Sequence, residues 1–127
     1  MAGFDVMPDV QLCQPAELDD ALELADRRGD QGWLLGGGQD SYGWLKDRAK
    51  NPQAMIDING IEALKGIRET SDGVEIGAAT TLREIIGNPL LKERFSLLID
   101  AAAHVASPQI RNVGTLGGNL GQDTRCW

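Results

Sequence analysis

Two glycine clusters constrain this chain more than any other feature: Gly36-Gly37-Gly38, and the stretch Gly114-Thr115-Leu116-Gly117-Gly118-Asn119-Leu120. Glycine accounts for 16 of 127 residues, close to twice the usual share of about 7%. A residue without a Cβ is used where backbone takes unusual dihedrals or must come close to a ligand. Each cluster is therefore either a sharp turn or a place where backbone N–H groups face something bound.

The elements around the clusters set the fold class. Val10-Gln11-Leu12 reads as a strand, and Pro15 suits the first position of a helix carrying Leu18, Ala21, Leu22 and Ala25, which Gly29 stops. Trp33-Leu34-Leu35 is a short apolar run that reads as a buried strand leading into the first cluster. Asp40 or Ser41 then caps a helix with Tyr42, Trp44 and Leu45, Asn51-Pro52 ends it, and Ala54-Met55-Ile56-Asp57 is the next strand. A β-α-β-α-β order predicts a small parallel sheet over residues 1–58.

After residue 58 the pattern changes. Ile67–Glu69 and Val74–Ile76 flank Ser71-Asp72-Gly73, a hairpin signal. Thr81 and Glu84 have capping-box spacing for a short helix ending at Gly87. Asn88-Pro89 opens a longer helix with Leu91, Phe95, Leu98, Ala102 and Val105 as its apolar stripe, closed by Ser107-Pro108. The chain is thus expected to be mixed α/β: a parallel lobe, 1–58, followed by part of a second lobe with antiparallel strands, 59–127.

Net charge is −7, from 12 basic and 19 acidic residues. That balance argues against nucleic acid or an anionic membrane surface as a partner, because both call for clustered Lys and Arg. It also means that an anionic ligand would be held mainly by backbone donors. The longest apolar runs are too short to span a bilayer. No basic segment followed by an apolar stretch marks a signal peptide, and Cys13 and Cys126 make no disulfide framework, so the expected location is cytoplasmic.

A strand, a glycine triplet and a helix start together make a phosphate-site candidate, or equally an empty connection. A Rossmann turn is a further alternative: Gly36-x-Gly38 precedes a helix, and Asp57 lies about 20 residues on, where a ribose-binding acid should be. Ser41, however, stands where that fingerprint needs its third glycine. In the second cluster, a hydroxyl at Thr115 and a carboxamide at Asn119 flank Gly117-Gly118. Those groups can surround a diphosphate without any Lys; the plainer reading is a glycine bulge at a strand edge.

Ile110-Arg111-Asn112-Val113-Gly114-Thr115-Leu116-Gly117-Gly118-Asn119 resembles the FAD-binding signature in the flavoprotein subunit of the molybdenum hydroxylases, the family of xanthine dehydrogenase and the carbon monoxide dehydrogenase medium subunits. Leu34 to Asp40 resembles the other signature of that family, and Ile76 to Thr81 and Ser107-Pro108-Gln109 are also similar. The resemblance runs over essentially the whole chain. It implies a vanillyl-alcohol-oxidase-type fold with FAD between two lobes. Leu35, Gly36, Gly37, Gly38, Gln39, Asp40 and Ser41 would contact the cofactor from the first lobe, and Thr115, Gly117, Gly118 and Asn119 from the second, with Asp123 near a ribityl or ribose hydroxyl. Gly36 stands for the family's usual Ala and Gln39 for its Thr, so a hydroxyl contact at 39 is lost, although an amide can still donate. The partners implied are a molybdenum-cofactor subunit and a [2Fe-2S] subunit.

Asp123-Thr124-Arg125-Cys126-Trp127 resembles one branch of the family, that of 4-hydroxybenzoyl-CoA reductase, which carries an extra [4Fe-4S] cluster. Cys126 would then be a cluster ligand; otherwise it is a free structural cysteine. An end so close to the glycine motif leads us to expect an N-terminal fragment of such a subunit. His104, the single histidine, reads as helix-end or core packing, Trp33 and Trp44 as packing, and Arg111 as a structural pairing. Paired carboxylates, a Ser-His-Asp set and zinc-ligand spacing are absent, so no catalytic acid or base is assigned. The reading is a FAD-binding electron-transfer subunit. The alternatives are a stand-alone flavin or NAD-dependent oxidoreductase, and a non-catalytic scaffold whose glycines only shape turns.

Overall fold

A computed structural model describes residues 7–124. The chain divides into two compact units, Met1–Ala63 and Leu64–Trp127.

In the first unit, strands β1 (Gln11–Cys13), β2 (Gly32–Leu35) and β3 (Ala54–Asp57) form a parallel sheet in the order β1-β3-β2. The strand last in sequence sits in the middle, and its composition explains why. Ala54, Met55 and Ile56 are all buried, the continuous apolar run of a strand covered on both faces. Among the described residues, strands β1 and β2 pair on one side only. The expectation of a buried run at Trp33-Leu34-Leu35 is accordingly corrected: Leu35 is buried, but Leu34 is 58% exposed, because an edge strand needs one covered face. Leu35 and Met55 pack with Leu45, Val10 and Trp33.

Helix α1 (Leu18–Arg28) begins after Pro15 rather than at it. Pro15 is itself buried. Asp19 and Asp20 lie in the first turn of α1 and Arg27 and Arg28 in the last, complementing the helix dipole. Gly29, at φ +48°, ends it. Helix α2 (Ser41–Lys46) follows the glycine triplet. Asp40 is its N-cap residue, but no side chain caps the helix; the Ser41 hydroxyl instead accepts a bond from the Trp33 indole N–H at 2.9 Å. Lys50 Nζ lies 4.9 Å from the Trp44 ring centre. Both tryptophans thus have partners within the unit.

The second unit opens with the hairpin of β4 (Ile67–Thr70) and β5 (Gly73–Ile76), antiparallel with Thr70 opposite Gly73. Helix α3 (Leu82–Gly87) carries the expected capping box: Thr81 Oγ1 accepts from Glu84 N–H at 3.2 Å, and Glu84 Oε2 accepts from Thr81 N–H at 2.8 Å. The long helix expected from Asn88 is two: α4 (Pro89–Arg94) and α5 (Ser96–Ala103), broken at Phe95, whose φ and ψ are −136° and 48°. The break lets α5 turn, so that Leu98, Ile99 and Ala102 join Leu91 of α4 and Leu82 and Ile85 of α3 in one cluster. Phe95 itself stays 37% exposed. Two short helices follow, α6 (Pro108–Arg111) and α7 (Leu116–Leu120).

The Glu84 carboxyl lies below its ordinary pKa, held there first by the Thr81 hydroxyl, then by the Thr81 N–H, with a smaller contribution from Lys65. A depressed carboxylate stabilises the fold above its unfolded pKa and loses that effect as pH falls through the folded value. Thr81→Ala should therefore cost about 1 kcal/mol at neutral pH in urea unfolding. The gap from wild type should narrow as the solution is acidified through the carboxylate range.

Candidate functional site

The first glycine loop leaves β2 where that strand ends beside β3, with Leu35 opposite Asp57. Ile58 N–H bonds back to Leu35 C=O at 3.1 Å, so the two strand ends are held together. The Gly36 carbonyl accepts from Asn59 Nδ2 at 2.8 Å, and the Gly37 carbonyl from Gln39 Nε2 at 3.3 Å. Among the described residues, the N–H groups of Gly36, Gly37, Gly38 and Gln39 donate to no other backbone group. Carbonyls taken by the protein and amides left open make a run of donors suited to an anion. Gly38 is buried, at φ +74°, and a Cβ there would lie 2.6 Å from the Tyr42 ring. Gln39 and Asp40 are exposed and Ser41 is half-buried.

Asn59 is a residue that the sequence reading missed. Asp57 Oδ1 accepts from its Nδ2 at 2.7 Å and its backbone N–H at 3.0 Å, and Asp57 Oδ2 accepts from Gln14 Nε2 at 3.1 Å. Burial pushes the Asp57 carboxyl up, but the bonds from Asn59 and Gln14 outweigh it and hold the group below its ordinary value. Both carboxylate oxygens are thus engaged inside the chain, which disfavours the ribose-binding role of the Rossmann alternative. The only sequence signal for Asn59 was its place two residues past a strand-ending Asp, a spacing common in Asx turns.

The second glycine cluster is a helix start rather than a strand-edge bulge. Thr115 is 3% exposed and caps α7, its Oγ1 accepting from Gly118 N–H at 3.1 Å. Leu116 N–H bonds Thr80 C=O at 2.9 Å, Gly117 N–H bonds Ala78 C=O at 2.8 Å, and Leu82 N–H bonds Gly114 C=O at 2.9 Å. Thr81 and Thr115 form an antiparallel bridge. Thr80, 1% exposed, fixes the other side through its hydroxyl, bonded to both N–H and C=O of Gly66. The N–H groups of Gly117 and Gly118, expected to face a ligand, are therefore used within the chain. Gly118 and Asn119 are exposed, and Asp123 is exposed beyond α7.

The remaining candidates do not gather at either loop. Arg111 donates to the carbonyls of Val105 at 2.8 Å and Ala106 at 3.2 Å, a structural tie. Exposed His104 ends α5, with Nδ1 2.7 Å from Asp100 C=O. Cys126 lies outside the described residues. Among the described residues, no group of three or more His, Cys, Asp or Glu could hold a metal, and no helix is long and apolar enough to cross a membrane.

The chain is thus of mixed α/β type, with a glycine loop whose amides are open in the first unit and a glycine-led helix in the second. Residues 8–125 match the family model described as the FAD binding domain in molybdopterin dehydrogenase, and the chain belongs to that family. It is 37% identical over 115 residues to the carbon monoxide dehydrogenase medium chain of Hydrogenophaga pseudoflava, covering 91% of this chain and 40% of that one. It is 39% identical over 107 residues to a putative xanthine dehydrogenase FAD-binding subunit of Escherichia coli K12, covering 83% and 36%. The crystal structure of a cyanide-inactivated Cu,Mo-CO dehydrogenase superposes with a TM-score of 0.87 at 32% identity, over 90% of this chain and 40% of that chain. The chain thus spans about two fifths of the length of these relatives.

Identical glycine-to-alanine changes should act differently along the chain. At Gly117 a Cβ would stand 2.9 Å from Ala78 Cβ and 3.0 Å from its carbonyl, and at Gly38 the φ is left-handed. At Gly87 nothing lies within 4 Å. Gly117→Ala and Gly38→Ala should each lose about 1–3 kcal/mol in chemical denaturation, whereas Gly87→Ala should be neutral or slightly stabilising.

Proposed function

We propose that this chain is part of a FAD-binding electron-transfer subunit in a molybdenum-dependent hydroxylase or dehydrogenase. In that assembly a molybdenum-cofactor subunit acts on the substrate, and a [2Fe-2S] subunit relays electrons to or from the flavin. The observation that carries the reading is the open-amide loop Gly36–Gln39 inside a domain of the FAD-binding family. With a net charge of −7, backbone amides are the economical donors for a diphosphate.

The first loop, Gly36 to Ser41 after Leu35, would hold the diphosphate through its amides. On the resemblance, which implies a vanillyl-alcohol-oxidase-type fold, Thr115, Gly117, Gly118 and Asn119 would be the cofactor contacts of the second unit. Since the Gly117 and Gly118 amides are engaged, the exposed Asn119 carboxamide would be the principal donor of that loop, and Gly117 serves to keep α7 close to Ala78. Asp123 would take a ribityl or ribose hydroxyl. FAD supplies the electron-transfer chemistry when bound; this chain's residues bind and orient it, and we assign none of them as an acid or base.

The finer placement is the branch with an additional [4Fe-4S] cluster. It is supported by the resemblance of residues 123–127, with Cys126 as one thiolate of the four such a cluster takes.

Purification of the full-length subunit with its partners tests the reading. It should carry stoichiometric FAD and co-purify with molybdenum and [2Fe-2S] subunits. A flavin-free complex would favour a scaffold, and substrate turnover without partners would favour a stand-alone enzyme. For the branch, Cys126→Ser should remove about four irons per subunit while FAD stays bound; unchanged iron would reject the cluster.

A further inference from the structure

The open amides of the first loop raise the question of what keeps their peptide planes in place. Glycine peptides flip easily, and nothing in Gly36-Gly37-Gly38 itself prevents it. In a trans peptide the carbonyl of one residue and the N–H of the next point in opposite directions, and the described residues contain no cis peptide. Whatever grips the Gly36 carbonyl therefore aims the Gly37 N–H the other way. That grip is Asn59 Nδ2, at 2.8 Å. The Gly37 carbonyl is held more loosely by Gln39 Nε2, at 3.3 Å, and aims the Gly38 N–H.

Asn59 is in turn fixed from behind. Asp57 Oδ1 holds both its side-chain amide, at 2.7 Å, and its backbone N–H, at 3.0 Å, while Gln14 Nε2 holds the other carboxylate oxygen at 3.1 Å. Asp57 ends β3 and Gln14 directly follows β1. The brace thus runs from the ends of two strands to a loop that leaves the third.

We propose that Asn59 is a positioning residue for the cofactor diphosphate: backed by Asp57 and Gln14, it locks the Gly36–Gly37 peptide with its N–H turned to the bound anion. The proposal rests on the FAD-site reading above. Asn59 touches the loop, not the ligand, and acts through the Gly37 amide. A structural role alone would lower the stability of the chain without selectively changing how the phosphates are held.

The test uses the full-length subunit, with Asn59→Ala and the same-sized Asn59→Asp, which replaces the donor by an acceptor facing the Gly36 carbonyl. FAD affinity should weaken about tenfold or more in both variants, the scale of one misdirected hydrogen bond to a charged group. The phosphorus resonances of bound FAD should shift, while thermal unfolding of the cofactor-free variants stays close to wild type. In the wild type, FAD should slow hydrogen exchange at Gly37 and Gly38. That measurement needs no variant, so it holds even if a substitution prevents folding. Wild-type affinity and phosphorus resonances in both variants, or unchanged exchange at Gly37 on FAD binding, would overturn the proposal while leaving the FAD reading standing. A wild-type subunit that binds no FAD would overturn both.

Discussion

The pairing of β2 with β3 is the interaction on which the candidate site depends. Its register sets Leu35 opposite Asp57 and lets Ile58 N–H close on the Leu35 carbonyl at 3.1 Å. Two strand ends are thereby held at the spacing of a parallel ladder, and the glycine loop and the Asp57–Asn59 turn start side by side. The register is set by burial. Ala54, Met55 and Ile56 are buried along β3, and fully burying side chains such as Met and Ile is worth roughly 1.5–3 kcal/mol each. A slip of one residue would reverse the faces of β2 and expose Leu35. The polar brace at the strand ends is thus positioned by apolar packing a few residues earlier.

The second unit is held by close backbone approach. Gly77 cannot carry a side chain, since a Cβ would lie 2.3 Å from the Leu64 carbonyl. Residues 78–82 and 114–117 exchange backbone bonds, and Thr80 and Thr115 are both buried with their hydroxyls engaged. A buried hydroxyl is tolerable only when hydrogen-bonded, so these threonines specify this one arrangement. The consequence for function is a division of labour between the glycine clusters. The first leaves its amides open; the second spends its own on holding the chain together.

Much of this was legible in the sequence. The parallel strands, the hairpin, the capping box at Thr81 and Glu84, and the family resemblance all follow from local spacing or from motifs contiguous in the chain. What was misread had non-local causes. The burial of Leu34 depended on which strand took the centre of the sheet, and periodicity within β2 does not carry that information. The single helix expected from Asn88 continued a good apolar stripe, but the Leu82 and Ile85 cluster of α3 required a turn at Phe95. Asn59 went unnoticed because an asparagine after a strand is ordinary until its carbonyl partner, 23 residues earlier, is known.

The sequence by itself determined the class of elements and their order, and it marked two glycine-rich loops as candidates for a close backbone approach. Those features depend on residues close along the chain, where Cβ sterics and hydrophobic period act directly. Only the tertiary structure decided which amides are open. An N–H is available or spent according to the carbonyl that folding brings to it, and for Gly117 that carbonyl is Ala78, while for Gly37 there is none among the described residues.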